Sequence, residues 1–243
     1  MNGFTSVFRR ELKAYFSTPL AYVFLVVFLA LCGSLTFLSG FFKMRQASMN
    51  VFFSNIPMLF IFLVPAIAMR LWSEERRSNS IELLFSLPIT TTQAVLGKFF
   101  AAWSILLLAL ALTFPMVMTV TYLGDPDWGP IVTGYVGSLL LAGAYLAIGS
   151  FFSVLTRSQV IAFVLGVVFC GMFLYLGSPR VMATVSGFAP MGFVEAIESL
   201  SFQTRFESIQ RGVIELRDLL FFILLIAGWI WANIILLEER RAA

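Results

Sequence analysis

Long apolar blocks alternate with short polar interruptions along this chain. A block of about 18 or more residues without charge reads as a membrane-spanning helix, because it must cross roughly 30 Å at about 1.5 Å per residue. The spans predicted in this way are Leu20–Phe42, Asn55–Trp72, Phe99–Leu123, Ile131–Leu155, Val160–Gly177 and Leu219–Leu237. Ahead of them, Phe4, Val7, Phe8, Leu12, Tyr15 and Phe16 share one helical face, with Arg9, Arg10 and Lys13 opposite. Residues 1–18 are therefore expected to lie flat in the membrane interface as an amphipathic helix. The predicted fold is an all-α polytopic membrane protein, an N-terminal interface helix plus six transmembrane helices in one domain over residues 1–243. Its longest polar connections are residues 73–98 and 178–218.

Six crossings put both termini on one side. The 16 Lys and Arg residues then divide ten to six. Arg9, Arg10, Lys13, Arg70, Arg76, Arg77, Lys98, Arg157, Arg240 and Arg241 fall on the side of the termini; Lys43, Arg45, Arg180, Arg205, Arg211 and Arg217 fall on the other. Positive charge accumulates on the cytoplasmic side, so both termini are read as cytoplasmic, in a bacterial inner membrane. Residues 73–98 become a cytoplasmic loop and residues 178–218 a periplasmic segment.

Composition agrees with this reading. The chain is 60% hydrophobic and 12% charged, with a mean hydropathy of +0.93, more apolar side chain than a soluble domain of this size can bury. Lipid must solvate the remainder. The first apolar block is too long for a signal-peptide core and is read as a retained helix. Cys32 and Cys170 lie inside separate apolar blocks, which points to buried small side chains and to neither a disulfide nor a metal site. Histidine is absent, which removes the Ser/His, Cys/His and His-metal arrangements of most hydrolytic catalysts. No basic stretch is interleaved with exposed aromatics as nucleic-acid binding requires.

Within the spans, Pro57, Pro65 and Pro115 remove backbone donors and are expected to kink their helices. Gly134, Gly137, Ser138, Ala142, Gly143, Ala147 and Gly149 give the fourth span a small-residue face for close helix packing. Between their ends the spans hold no Asp, Glu, Lys, Arg or His apart from Arg70 at the edge of the second, which disfavours proton coupling. No phosphate-binding Gly-x-x-x-x-Gly-Lys-Ser/Thr loop is present; Gly97-Lys98 lacks the upstream glycine. A transport machine of this kind must borrow its energy from a partner.

The natural docking surface is the loop after the second span, Trp72-Ser-Glu-Glu-Arg-Arg-Ser-Asn-Ser-Ile-Glu-Leu-Leu-Phe-Ser-Leu-Pro88. Ser78, Asn79 or Ser80 can cap a short helix there with Glu82 in its first turn, and Pro88 stops it. Ile81, Leu84 and Phe85 share a face beside the charged knot Glu74, Glu75, Arg76 and Arg77. The bland alternative is a solvated loop anchored by its arginines.

The stretch closely resembles the type 2 ABC transporter permease family, in which Glu-Glu-Arg, Glu-Leu-Leu, a proline and Gly-Lys follow the second span. The resemblance implies that Glu74, Glu75, Arg76, Arg77, Ser80, Glu82, Leu83, Leu84 and Pro88 form a coupling loop for a separate ATPase, which carries the ATP and Mg. It also implies a non-catalytic permease that works as a dimer or with a paralogue, and an exporter-like direction. Ser153–Ala162 looks like the family's turn between spans four and five, with Arg157 as its inward charge. Phe206, Arg211, Gly212, Arg217 and Asp218 lie in a segment similar to the gliding-motility branch of the family, as does Phe8–Tyr22. A neighbouring permease serves nitrous-oxide reductase maturation. The outer segment itself, with Phe193, Ile197 and Leu200 at helical spacing, is expected to form short helices on the outer membrane surface.

Overall fold

The computed structural model describes residues 3–41, 47–78, 80, 88–187 and 191–242. All regular structure among them is helical. In chain order the helices are α1 (Gly3–Ser17), α2 (Pro19–Leu38), α3 (Asn50–Ala68), α4 (Arg70–Arg77), α5 (Thr91–Ala111), α6 (Phe114–Leu123), α7 (Trp128–Leu155), α8 (Gln159–Tyr175), α9 (Pro179–Ser186), α10 (Met191–Ser199), α11 (Phe202–Gln210) and α12 (Leu216–Ala242). Five stretches are long and apolar enough to cross a membrane: α2, α3 with α4, α5 with α6, α7, and α12 to Glu239. The sixth apolar helix, α8, has 17 residues.

The helix ends differ from those of the predicted spans: α2 stops at Leu38 and α8 at Tyr175, and the second and third predicted spans each take in two helices. Capping explains several of the boundaries. Thr90 closes a capping box with Gln93 and so starts α5 eight residues before the predicted span. Asp127 accepts from the Gly129 N–H and starts α7. Of the three prolines, Pro57 and Pro65 lie within α3, whereas Pro115 follows a break at Leu112 and Thr113 between α5 and α6. There the Thr113 hydroxyl donates to the Leu110 carbonyl and meets the Tyr135 hydroxyl at 2.9 Å, satisfying groups that the break frees.

The bundle is built around α7. In its most apolar stretch 83% of the residues are buried, against 11% for α12, so α7 is the hub and α12 lies at the edge of the bundle. It packs against α3, α4, α5, α8, α11 and α12. The small-residue face makes this possible: at Gly149 an added Cβ would lie 2.6 Å from the Ala68 Cβ of α3, inside van der Waals contact.

Two elements differ from expectation. The apolar face of α1 packs on α5 as well as facing the membrane: Val7 is buried and Phe4 meets the Phe100 ring edge-on at 6.1 Å. And α11 stands alongside α7. Phe202 meets Tyr145, and an added Cβ on Gly137, about two turns away along α7, would touch Ile209, at the far end of α11. Phe202, Phe206 and Ile209 are all buried. Acyl chains would bury such an apolar face as well as protein does, so it is close packing against the small residues of α7 that favours this position.

Candidate functional site

The two termini emerge at one end of the bundle. There α12 runs past α7, where Asn233 donates to the Ser150 hydroxyl at 3.0 Å, and α1 crosses the start of α5. This end also carries α4 and the turn between α7 and α8. Four of its charged side chains, Arg10, Glu11, Glu75 and Lys98, form one network.

Lys98 is at the centre. It lies in the second turn of α5 with its side chain 4% exposed, and its ammonium donates to two carboxylates. Glu75 of α4 is at 2.9 Å and Glu11 of α1 at 3.2 Å. Arg10 adds a second cation, 2.7 Å from Glu11 and 3.5 Å from Glu75. The Lys98 ammonium also sits 5.2 Å from the centre of the Trp72 ring. Two cations thus face two carboxylates, so α1, α4 and α5 meet at a neutral, partly desolvated node. Gly97 permits it, since an added Cβ would fall 2.8 Å from a Val7 methyl and hold α1 away.

Electrostatics follow this geometry. Burial raises the Glu11 carboxyl, but the Lys98 charge and the Arg10 hydrogen bond outweigh it and hold the group below its ordinary range. Burial, reinforced by Glu11, pushes the neighbouring Tyr15 hydroxyl up. Arg70 donates to Glu74 at 2.9 Å. These side chains line a cleft of about 240 Å³ between α1, α2, α4 and α5.

The joint between α3 and α4 is clamped from α7. The Ser153 hydroxyl accepts from the Trp72 and Ser73 N–H groups, at 3.1 and 3.0 Å, and donates to the Met69 carbonyl at 2.8 Å. Arg76 donates to the Val154 carbonyl. α4 is therefore fixed to the end of α7 at four backbone points.

Of the residues singled out in the sequence, Glu74, Glu75, Arg76 and Arg77 lie in α4, a helical continuation of the second span, where a loop was expected. Ser78 closes that helix, its N–H and hydroxyl both donating to the Glu74 carbonyl. Ser80 is half-buried beside it and Pro88 is exposed just before α5. Glu82, Leu83 and Leu84 lie outside the described residues. Arg9 and Lys13 are exposed on α1, and Arg157 is exposed in the turn after α7. The structure thus joins Glu75 and Arg10 at the node and leaves Arg9, Lys13, Arg77 and Arg157 on its surface.

At the opposite end, Asp218 belongs to the first turn of α12, 1% exposed, and accepts from Arg205 of α11 at 2.8 Å. Arg205 also donates to the Ser199 carbonyl and lies over the Phe221 ring. Phe206 is buried, Arg211 and Arg217 are exposed, and Gly212 has φ +96°, the left-handed turn that glycine adopts most readily. Sequence reasoning missed Glu11, Ser153 and the Arg205–Asp218 pairing. Glu11 did carry a signal, as the one acid among the basic residues of α1.

Among the described residues, no group of three or more His, Cys, Asp or Glu side chains is placed to hold a metal. The site consists of a charged node and a clamped helix at one end of the bundle. No curated protein matches the sequence. Residues 56–237, from early in α3 to late in α12, match the family model of the ABC-2 family transporter protein. The chain therefore belongs to the ABC-2 transporter family, as a multi-pass membrane permease subunit whose family implies an ABC ATPase partner.

Proposed function

We propose that this chain is the permease of an ATP-driven exporter, docked by its ATPase at the end that bears both termini. The observation that carries this reading is the Lys98 node, which ties the interface helix α1 to α4 and α5. A push on α4 or on the following stretch to Pro88 reaches the second span directly, because α4 continues it, reaches α7 through the Ser153 clamp, and reaches the first span through α1. Two permease copies with two ATPases form the complex, ATP and Mg stay on the ATPases, and closure of the ATPase pair biases two states of the membrane dimer. On this reading the membrane is the bacterial inner membrane and both termini are cytoplasmic.

The test is copurification and ATPase stimulation with Glu82→Arg combined with Leu84→Glu, two substitutions in the proposed coupling stretch. Loss of the associated ATPase supports docking there; unchanged copurification together with unchanged stimulation removes the proposal.

A second reading has its own support. α7 holds α4 at one end and α11 along its other half, so movement at the ATPase side has a direct route to the opposite face. In a transmission complex of this kind, akin to the gliding-motility or metalloenzyme-maturation branches, an auxiliary periplasmic partner is moved and no solute crosses. Deleting residues 195–211 separates the two: loss of a copurifying partner with ATPase binding retained favours transmission, and ATP-dependent solute movement in vesicles favours export.

A further inference from the structure

We propose that the groove between α3 and α11, at the end opposite the termini, binds a zwitterionic phospholipid, headgroup against α11 and acyl chains along the seam between α3 and α8. Two clefts, of about 450 Å³ and about 230 Å³, share Ser54, Glu207 and Gln210 and so form one groove. Its wider part is polar, with Asn50, Ser54, Glu207 and Arg211 on its walls. Its narrower part is lined by Pro57, Met58, Leu174 and Tyr175.

The polar part presents matched charges. Gln203 donates to one oxygen of Glu207 at 2.9 Å, and Gln210 donates to the Asn50 carbonyl at 2.8 Å, which orients both amides. The second Glu207 oxygen and the Arg211 guanidinium remain, one helical turn apart, and neither residue has an ion-pair partner among the described residues. A ligand with both an ammonium and a phosphate satisfies the two together, the ammonium at Glu207 and the phosphate at Arg211.

The apolar part says which ligand of that kind fits. From the groove an uncovered apolar track runs into the bundle: Met58 and Phe62 on α3, 59% and 52% exposed, beside Tyr175, Met172 and Val168 on α8. Each set follows one helix face, at steps of four residues on α3 and of three and four on α8. The groove opens at the start of α3 and the end of α8. A free phosphate has no use for this track, whereas the acyl chains of a phospholipid do. The proposal rests on the groove alone and stands or falls independently of how the ATPase docks.

The test is native mass spectrometry of the full-length chain released from detergent, titrated with phosphatidylethanolamine, phosphatidylglycerol, diacylglycerol and inorganic phosphate. Phosphatidylethanolamine is expected to bind best. Arg211→Gln is expected to weaken both phospholipids about tenfold, the loss of one charge-assisted contact. Glu207→Gln is expected to weaken phosphatidylethanolamine alone, because phosphatidylglycerol has no ammonium; a merely structural role would weaken both. Met58→Ser with Tyr175→Ser is expected to weaken both phospholipids. Both charged residues are exposed, so their variants should fold, and an unchanged unfolding midpoint checks this. Diacylglycerol binding as well as phosphatidylethanolamine, phosphate displacing the lipid at equal concentration, or Glu207→Gln lowering the two phospholipids equally would each overturn the proposal.

Discussion

Lys98 shows what a single buried charge does in this bundle. An ammonium with a 4% exposed side chain is stable only because Glu11 and Glu75 accept from it, and removing one partner of such a pair costs roughly 3–5 kcal/mol. Lys98→Met is expected to leave Arg10 alone facing Glu11 and Glu75 and to lower stability by about 3 kcal/mol, read as a fall in the thermal unfolding midpoint in detergent. Restoring neutrality with Glu75→Gln in the same chain, which keeps the Arg10–Glu11 pair, should recover much of that loss. Acid acts on the same node. The Glu11 carboxyl titrates lower in the folded chain than its ordinary value of 4.5, so its contribution is fully present above that value and is lost as pH falls through the lower, folded one. A spin label at Lys13 should therefore stay immobile from neutral pH down to about 4.5 and gain mobility below it. The sequence made part of this legible. The charges of α4 stood out as a cluster, whereas Glu11 and Lys98 are 87 positions apart and only the crossing of α1 over α5 joins them.

Among the elements, α4 depends most on its neighbour. Its attachment to α7 runs largely through the Ser153 hydroxyl, which makes three of the four backbone contacts. Ser153→Ala leaves two buried N–H groups without that acceptor and is expected to cost about 1–3 kcal/mol. Hydrogen exchange checks it, through faster exchange confined to Met69–Ser73. α1 depends on a contact of a different kind. Gly97→Leu would drive a side chain into Val7, and the expected result is release of α1 from α5, seen as protease cleavage near Ser17 in a chain whose α7 core stays protected. Apolar length and charge spacing foretold α1 and the long apolar helices because both are local properties, whereas α4 continues a helix where a loop was expected. The position of α11 was not legible in the same way. Its sequence is amphipathic enough for a membrane surface, and its upright stance comes from Phe202, Phe206 and Ile209 finding α7, a tertiary choice that no local pattern encodes.

For the molecule as a whole, hydropathy was enough to forecast an all-helical membrane bundle, since lipid leaves few ways to satisfy a backbone. The hub role of α7 was foreshadowed by its small residues, though which helices would use them was not. The brevity of α8 matters at this scale. Its 17 residues reach about 26 Å, short of the roughly 30 Å of a typical hydrocarbon layer. The foot of α11 caps it, through the Ser201 hydroxyl on the Leu174 carbonyl and Phe202 stacked on Phe173. On the flank of α8 that bears Val160, Val164 and Val168, these side chains are exposed among the described residues. Lipid beside that flank must pucker inward, and vesicles of shorter-tailed lipid are expected to raise the unfolding midpoint relative to longer-tailed ones. A subunit with one short stave thus carries a gauge of bilayer thickness, and its host's choice of fatty acids becomes a setting of the machine.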